Sequence, residues 1–168
     1  MLSANQLIDL LNLEPLPHEG GYFRRTYLAK DTVPADALPK RYGRSMPIGS
    51  CIYYLITIDN FSAMHRLQTD EIYHFYSGDP VELLLLYPEG SGEIVKLGTD
   101  FGAGMHPQFV VSRGAWQGSI VQPNGDFGYA LIGTTMAPAY DDASFELGNK
   151  ADLMAQYPEF RAEINGRF

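Results

Sequence analysis

The sequence is poor in cysteine, in basic residues and in long apolar runs. Its single cysteine, Cys51, cannot form an internal disulfide and is consistent with a reducing compartment. The 12 lysines and arginines against 20 acidic residues give a net charge of −8, which disfavours nucleic acid and anionic membranes as partners. No apolar run reaches the roughly 18 residues of a transmembrane helix. The start, MLSANQLIDLL, lacks the features of a signal peptide, so we expect a cytoplasmic protein.

The length and the sparse helical signals set the expected organisation. A chain of 168 residues predicts a single domain over residues 1–168, large enough to bury a substantial core. Ser3 and Gln6 have the spacing of a helix capping box ahead of an apolar stripe that begins at Leu7. Asn149 has the character of an N-cap for a second helix that ends before Pro158. Helices are therefore predicted only near the two ends.

The region between these helices is predicted to consist of short strands. Seventeen glycines and eleven prolines separate runs rich in Tyr, Phe, Ile, Val and Leu. Such a pattern favours a β-sandwich or barrel over a βαβ fold. Residues 29–47 have poor periodicity and several breakers, which predicts a long loop. The predicted strands are the runs GYFRRTYL, SCIYYLITI, SAMHRL, EIYHFY, VELLLLY, EIVKLG, QFVVS, WQGSIVQ, GYALIGTTM and SFEL.

Residues 64–78, MHRLQTDEIYHFYSG, concentrate the candidate chemistry of the chain. Side chains alternate between the two faces of a strand, so His65 and Leu67 are predicted to share one face. In the next run Glu71, Tyr73 and Phe75 share a face, and His74 points to the opposite one.

This segment and residues 107–117, PQFVVSRGAWQ, resemble the two signature motifs of the cupin superfamily. The first motif reads His65-x-Leu67-x3-Glu71-x6-Gly78, and the second ends at Gln117. In metal-binding cupins two histidines and a glutamate of the first motif join a histidine of the second. Carried over by position, those ligands would be His65, Leu67, Glu71 and Gln117, so two of the four usual ligands are replaced.

The amino-acid sequence around the motifs is similar to that of one subfamily, cupin 5, whose members are uncharacterised or described as predicted sugar epimerases. The resemblance implies an all-β fold, a double-stranded β-helix or jelly-roll barrel with short terminal helices. It also implies a homodimer. The similar segments are residues 19–27, 52–56, 64–83, 107–117 and 131–141.

The resemblance suggests a proton-transfer site without a metal. Cupin-fold sugar-nucleotide epimerases use a histidine base and a tyrosine acid, which would be His65 and either Tyr53 or Tyr73 here. Glu71 would orient the base or act as a second acid–base group. Gln117 would hydrogen-bond a sugar, and Arg24 would hold a phosphate or carboxylate. The further candidate ligand contacts are His74, Phe75 and Trp116.

Two other functions are compatible with the same residues. A divalent metal could be held by His65, Glu71 and Gln117, as in a cupin oxygenase, although glutamine is a poor ligand for transition metals. The chain could also bind a small molecule without chemistry, since fold does not determine function. We therefore expect a carbohydrate or nucleotide-sugar ligand and no required cofactor, with a divalent metal as the alternative.

Overall fold

A computed structural model describes residues 2–168, and within them two large β-sheets form the body of the protein. The helices are α1 (Ala4–Leu11), α2 (Lys150–Gln156) and α3 (Arg161–Asn165). In chain order the strands are β1 (Glu14–Pro15), β2 (Tyr22–Leu28), β3 (Thr32–Val33), β4 (Met46–Pro47), β5 (Ser50–Thr57), β6 (Ser62–Leu67), β7 (Glu71–Gly78), β8 (Val81–Leu86), β9 (Gly92–Leu97), β10 (Gln108–Val111), β11 (Trp116–Val121), β12 (Tyr129–Met136) and β13 (Phe145–Leu147).

The two large sheets have the jelly-roll arrangement predicted from the sequence. Six strands form one sheet in the order β1-β2-β5-β12-β7-β10, and five form the other in the order β13-β6-β11-β8-β9. Within the described residues all strand ladders of these sheets are antiparallel, and no ladder joins one sheet to the other. Each of the ten predicted strand runs coincides with a strand. The short strands β1, β3 and β4 were not predicted, because two-residue strands have no periodicity to detect.

The apolar run of β8 shows how the core is divided. Leu83 and Leu85 point between the two sheets and join the main core cluster. Leu84 and Leu86 point to the other side, where α2 and α3 cover the sheet with Leu153 and other apolar side chains. Because both faces of this strand are buried, its sequence is continuously apolar rather than alternating.

The terminal helices begin as predicted. Gln6 N donates to Ser3 Oγ at 3.3 Å and Ser3 N donates to Gln6 Oε1 at 2.9 Å, which completes the capping box of α1. Asp152 N donates to Asn149 Oδ1 at 3.1 Å at the start of α2. Among residues 2–168, no helix has the length and apolar character needed to cross a membrane.

Residues 29–47 are mostly irregular, as expected, but they include the small β3–β4 ribbon and two short 3₁₀ turns.

The glycine at the end of β7, Gly78, adopts φ +100°, a backbone conformation in which a β-branched residue would be strained. A Cβ at this position would also collide with the carbonyl oxygen of Tyr129.

Candidate functional site

A cavity of about 520 Å³ opens between the two sheets. Its walls combine apolar side chains with a group of histidine, acidic and tyrosine side chains. The lining residues that carry its polar chemistry are His18, Glu19, Arg25, Ser50, Tyr54, His65, Glu71, Tyr73, Thr134, Tyr140 and Asp142.

Three buried polar residues form a connected network at the cavity wall. Gln117 and His65 are directly opposite in the pairing of β11 with β6, and Glu71 begins β7 on the facing sheet. The Gln117 amide donates from Nε2 to His65 Nε2 at 3.2 Å and to Glu71 Oε2 at 2.7 Å. The glutamine therefore bridges the histidine and the carboxylate, which do not form a direct ion pair within residues 2–168.

The tautomer of His65 follows from its hydrogen bonds. Its Nδ1 lies 2.8 Å from the carbonyl oxygen of Ala63, which can only accept, so Nδ1 carries the proton. The neutral ring then keeps a lone pair on Nε2, the atom that accepts from Gln117. Phe145 stacks on the imidazole with ring centroids 5.2 Å apart and planes 22° apart, which fixes the orientation of the ring.

Glu71 is buried in this network, and its ionisation responds to that environment. Burial raises the pKa of the Glu71 carboxyl above its ordinary value, and the neighbouring Glu19 acts in the same direction. His65 and hydrogen bonds from Thr134 and Gln117 partly oppose that rise. Desolvation is the largest effect because a carboxylate loses its hydration inside the barrel.

Tyrosine hydroxyls lie near these acids, two of them on the six-stranded sheet and one on the loop after β12. Burial, reinforced by the charge of Glu71, raises the pKa of Tyr73 well above its ordinary value. Burial and the nearby Glu19 do the same to the pKa of Tyr54. Tyr140 also has a raised pKa, because burial is combined with the adjacent Asp142. These hydroxyls therefore keep their protons at neutral pH and can act as hydrogen-bond donors or acids.

One edge of the cavity is formed by the turn at residues 18–21. Gly20 and Gly21 adopt φ +95° and +69°, which glycine accepts without steric strain, and the turn brings Glu19 to the cavity. Ser62 Oγ donates to Glu19 Oε1 at 2.9 Å, and the Tyr54 hydroxyl donates to the Gly20 carbonyl at 2.9 Å. These bonds tie the turn to the barrel wall.

Several residues predicted to line the site lie on the outer face of the six-stranded sheet. Tyr53 packs edge-on against Tyr76 at 5.9 Å, and the Arg24 guanidinium lies 5.7 Å from the centre of the Tyr53 ring. The cavity-facing residues of these strands are instead Tyr54 and Arg25. His74 lies on the outer face too, as alternation predicted, and its Nε2 hydrogen-bonds Thr135 Oγ1 at 2.9 Å.

Two other predicted ligand contacts are parts of packed clusters. Phe75 packs against the core between the sheets. Trp116 is buried among the side chains that α2 and α3 cover, with the Arg66 guanidinium 4.5 Å from its ring centre. Neither residue lines the cavity.

Some cavity residues were not identified from the sequence. His18 reaches the cavity from the turn before β2, and Tyr140, Asp142 and Phe145 reach it from the segment after β12. Tyr54 could have been found from alternation, because it shares a face with Ile52 and Ile56, both of which point inward. The loop residues carried no comparable signal.

The donor set at the usual cupin metal position does not fit a transition metal. Leu67 has no donor atom, and the His65 lone pair and the Glu71 carboxylate are both engaged by the Gln117 amide. Among residues 2–168, no three His, Cys, Asp or Glu side chains are placed to hold a metal ion together. Such sites normally supply three or four protein ligands.

Comparisons with known proteins identify the family of the chain. A family model described as Cupin superfamily (DUF985) matches residues 5–148. The uncharacterized protein YML079W of Saccharomyces cerevisiae is 29% identical over 172 residues, covering 96% of this chain and 84% of that protein.

Solved structures give the same result. Protein SO0799 from Shewanella oneidensis is 30% identical with a TM-score of 0.86, covering 99% of this chain and 98% of that one. A hypothetical protein from Leishmania major is 29% identical with a TM-score of 0.87, covering 98% and 97%. Oxalate decarboxylase of Bacillus subtilis, 12% identical with a TM-score of 0.55 over 94% of this chain and 37% of its own, shares the fold alone. The protein belongs to the cupin superfamily, in its DUF985 family.

Proposed function

We propose that this cupin binds a small carbohydrate or nucleotide-sugar in the barrel cavity and acts on it as a metal-independent epimerase or isomerase. The observation that carries the proposal is the state of His65. Its Nδ1–H is committed to the Ala63 carbonyl at 2.8 Å, so Nε2 is the basic nitrogen, and a substrate proton would replace the Gln117 amide hydrogen that Nε2 now accepts at 3.2 Å. A neutral imidazole whose second nitrogen is anchored in this way is suited to act as a general base.

The proposed reaction exchanges one proton for another at a carbon beside a carbonyl. His65 Nε2 removes the proton from that carbon, and the C–H electron pair moves to form an enolate. The Tyr73 hydroxyl, protonated because of its raised pKa, supplies a proton to the opposite face of the same carbon. His65 ends with one proton more and Tyr73 with one fewer, and exchange with solvent restores both groups. The net change is inversion at carbon with no redox step.

Gln117 has two roles in this proposal. Its amide holds His65 and Glu71 in place, and its Oε1 is buried without a hydrogen-bond partner among the described residues. Half a turn of the amide would present Oε1 to the Nε2–H of the imidazolium formed during the reaction. A buried amide oxygen that gains a charged donor would stabilise that state.

Solvent exchange tests the proposal directly. Sugars and nucleotide-sugars are incubated in deuterated water with the protein, and deuterium at sugar carbons is measured by mass spectrometry. We expect exchange with the native chain, loss of about 100-fold or more in His65→Ala, and native rates in His74→Ala. The second variant removes a histidine from the outer face of the same barrel. If no sugar exchanges, the enzymatic function should be abandoned.

Non-catalytic binding is the second candidate, and it is favoured by the apolar part of the cavity lining. Leu16, Phe23, Ile52, Met136 and Phe145 present a surface that could hold the apolar face of a sugar without any reaction. This function predicts saturable binding that persists in His65→Ala, with no incorporation of deuterium.

A further inference from the structure

A second depression, here called the arginine groove, adjoins the barrel cavity. It is an open groove of about 590 Å³, and it shares Leu67 and Phe145 with the cavity. Because Phe145 stacks on His65, the groove begins one aromatic ring away from the proposed base. The lining residues of the groove are Arg41, Arg66, Leu67, Gln68, Arg113, Gly114, Ala143, Ser144, Phe145 and Glu146.

The charge of the groove is opposite to that of the chain. The protein has a net charge of −8, yet three arginines line this groove and Glu146 is its only acidic lining residue. Arg66 is neutralised by that acid, donating from Nε at 2.7 Å and from Nη2 at 2.9 Å. The other two cations, Arg41 and Arg113, have no such counterion within residues 2–168.

Arg41 is held in place by neutral groups. Its Nε donates to the Gln68 carbonyl at 3.1 Å, and its guanidinium lies 4.6 Å from the centre of the Tyr42 ring. Tyr42 is itself buried and hydrogen-bonds Thr69 Oγ1 at 3.0 Å through its hydroxyl. The support therefore orients the guanidinium and leaves its positive charge uncompensated.

Arg113 is placed by its backbone. Its N–H donates to Asp70 Oδ1 at 2.8 Å, and the next residue, Gly114, donates from N to the Leu67 carbonyl at 2.8 Å. These two bonds attach the loop before β11 to the loop and strand around β6. The exposed Arg113 side chain is left to face the groove.

We propose that the arginine groove binds the diphosphate of a diphosphate-linked sugar whose sugar ring occupies the cavity. Two uncompensated guanidinium groups match the two charges of a diphosphate diester, and the planar fork of arginine suits phosphate oxygens. This inference rests on the proposed function, because it adds the phosphate-bearing class of ligand to the sugar site. It also assigns to Arg41 and Arg113 the phosphate-binding role predicted for Arg24, which lies on the outer face of the sheet.

Calorimetric titration of the native chain with UDP-glucose, inorganic pyrophosphate and glucose tests the inference. We expect UDP-glucose to bind more tightly than either fragment. Arg41→Gln and Arg113→Gln should each weaken UDP-glucose binding about tenfold, the typical effect of losing one charged hydrogen-bond donor. Lys96→Gln is the control, because it removes one positive charge from the exposed face of β9. That strand lies at the edge of the five-stranded sheet opposite to β13 and β6, so the Kd for UDP-glucose should change by less than about twofold.

Three outcomes would overturn the proposal that the groove binds a diphosphate. They are absence of binding by all three probes, native affinity in both arginine variants, or equal affinity for pyrophosphate and UDP-glucose. The last result would indicate a site for free phosphate. Failure of the proposed function is separate, since it would leave arginine-dependent UDP-glucose binding intact while no sugar exchanges deuterium. Conversely, the proposed function would stand and the groove would fail if an unphosphorylated sugar exchanged deuterium at a rate that neither arginine variant changed.

Discussion

The cavity and the arginine groove share Leu67 and Phe145, but their carboxyl groups lie in different environments. In the cavity Glu71 is buried beside amide, hydroxyl and imidazole groups and the second carboxyl group of Glu19, and burial raises its pKa. In the groove Glu146 is exposed and is paired with Arg66 by two hydrogen bonds. The same functional group thus has a raised pKa where burial removes its hydration, and acts as the partner of an exposed ion pair where it stays in contact with water.

The backbone differs between the two regions as strongly as the charges do. A Cβ on Gly21, beside the cavity, would lie 2.8 Å from the Leu55 carbonyl oxygen, and Gly21 has φ +69°. Gly114 in the groove has φ +80°, but a Cβ there would contact nothing within 4 Å. We expect Gly21→Ala to lower the free energy of unfolding by about 3 kcal/mol, and Gly114→Ala by about 1 kcal/mol from strain alone. Urea unfolding measures both, and equal losses would contradict the difference in packing.

Removing one tyrosine hydroxyl separates the inner from the outer surface of the barrel. Tyr73→Phe should reduce deuterium exchange about 100-fold, since it removes the proposed acid. Tyr53→Phe makes the same change on the outer face and should leave the exchange rate within about twofold of native, as surface substitutions away from a site usually do. Initial exchange rates at saturating sugar measure both variants. A larger loss in Tyr53→Phe would show that the acid lies elsewhere.

Rebuilding a metal site should be possible in the cavity and not in the groove. Gln117→His would place an imidazole where the amide now contacts His65 and Glu71, giving the three ligands that a metal site needs. We expect zinc affinity to rise at least about tenfold, the usual scale for gaining a ligand-shell interaction. Gln68→His places a histidine in the groove instead and should leave the zinc affinity unchanged. Zinc titration against a chromophoric chelator measures the difference, and native affinity in Gln117→His would contradict the cavity geometry.

The smallest expected effect concerns the dependence of stability on pH. A raised pKa means that folded Glu71 binds its proton more tightly than unfolded Glu71. Its favourable contribution is complete below the unfolded pKa of 4.5 and is lost as the pH rises through the folded pKa. Glu71→Gln should therefore gain stability relative to native as the pH rises above 4.5, by about 1.4 kcal/mol per unit of the shift.

The groove carboxylate provides the control. Glu146→Gln removes an exposed ion pair with Arg66 and should cost at most about 1 kcal/mol at neutral pH. Urea unfolding of both variants between pH 4 and pH 8 makes the comparison. A loss of stability in Glu71→Gln at pH 8 would show that the carboxylate is favourably paired rather than penalised by burial.

The strands and the face of β7 were predictable from the sequence because strand periodicity is local. Alternation placed Glu71 and Tyr73 together and His74 on the opposite side, and both placements are confirmed. The motif spacing also brought His65 into the same site. For β5, Tyr53 was the predicted site residue, whereas the structure places Tyr53 on the outer face and Tyr54 at the cavity.

The chain by itself therefore determined the pattern of strands, because strand periodicity is local, and the resemblance of its motifs to those of cupins indicated the fold and the residues His65, Glu71 and Gln117. Only the tertiary structure decided that Gln117 bridges His65 and Glu71 and that Tyr54 and Arg25, rather than Tyr53 and Arg24, face the cavity. The tertiary structure also brought together the cations of the arginine groove, since Arg41 comes from the loop of residues 29–47, Arg66 from β6 and Arg113 from the loop before β11. The physical reason is that sheet register and loop closure join residues far apart in the chain, and local sequence preferences do not specify those pairings.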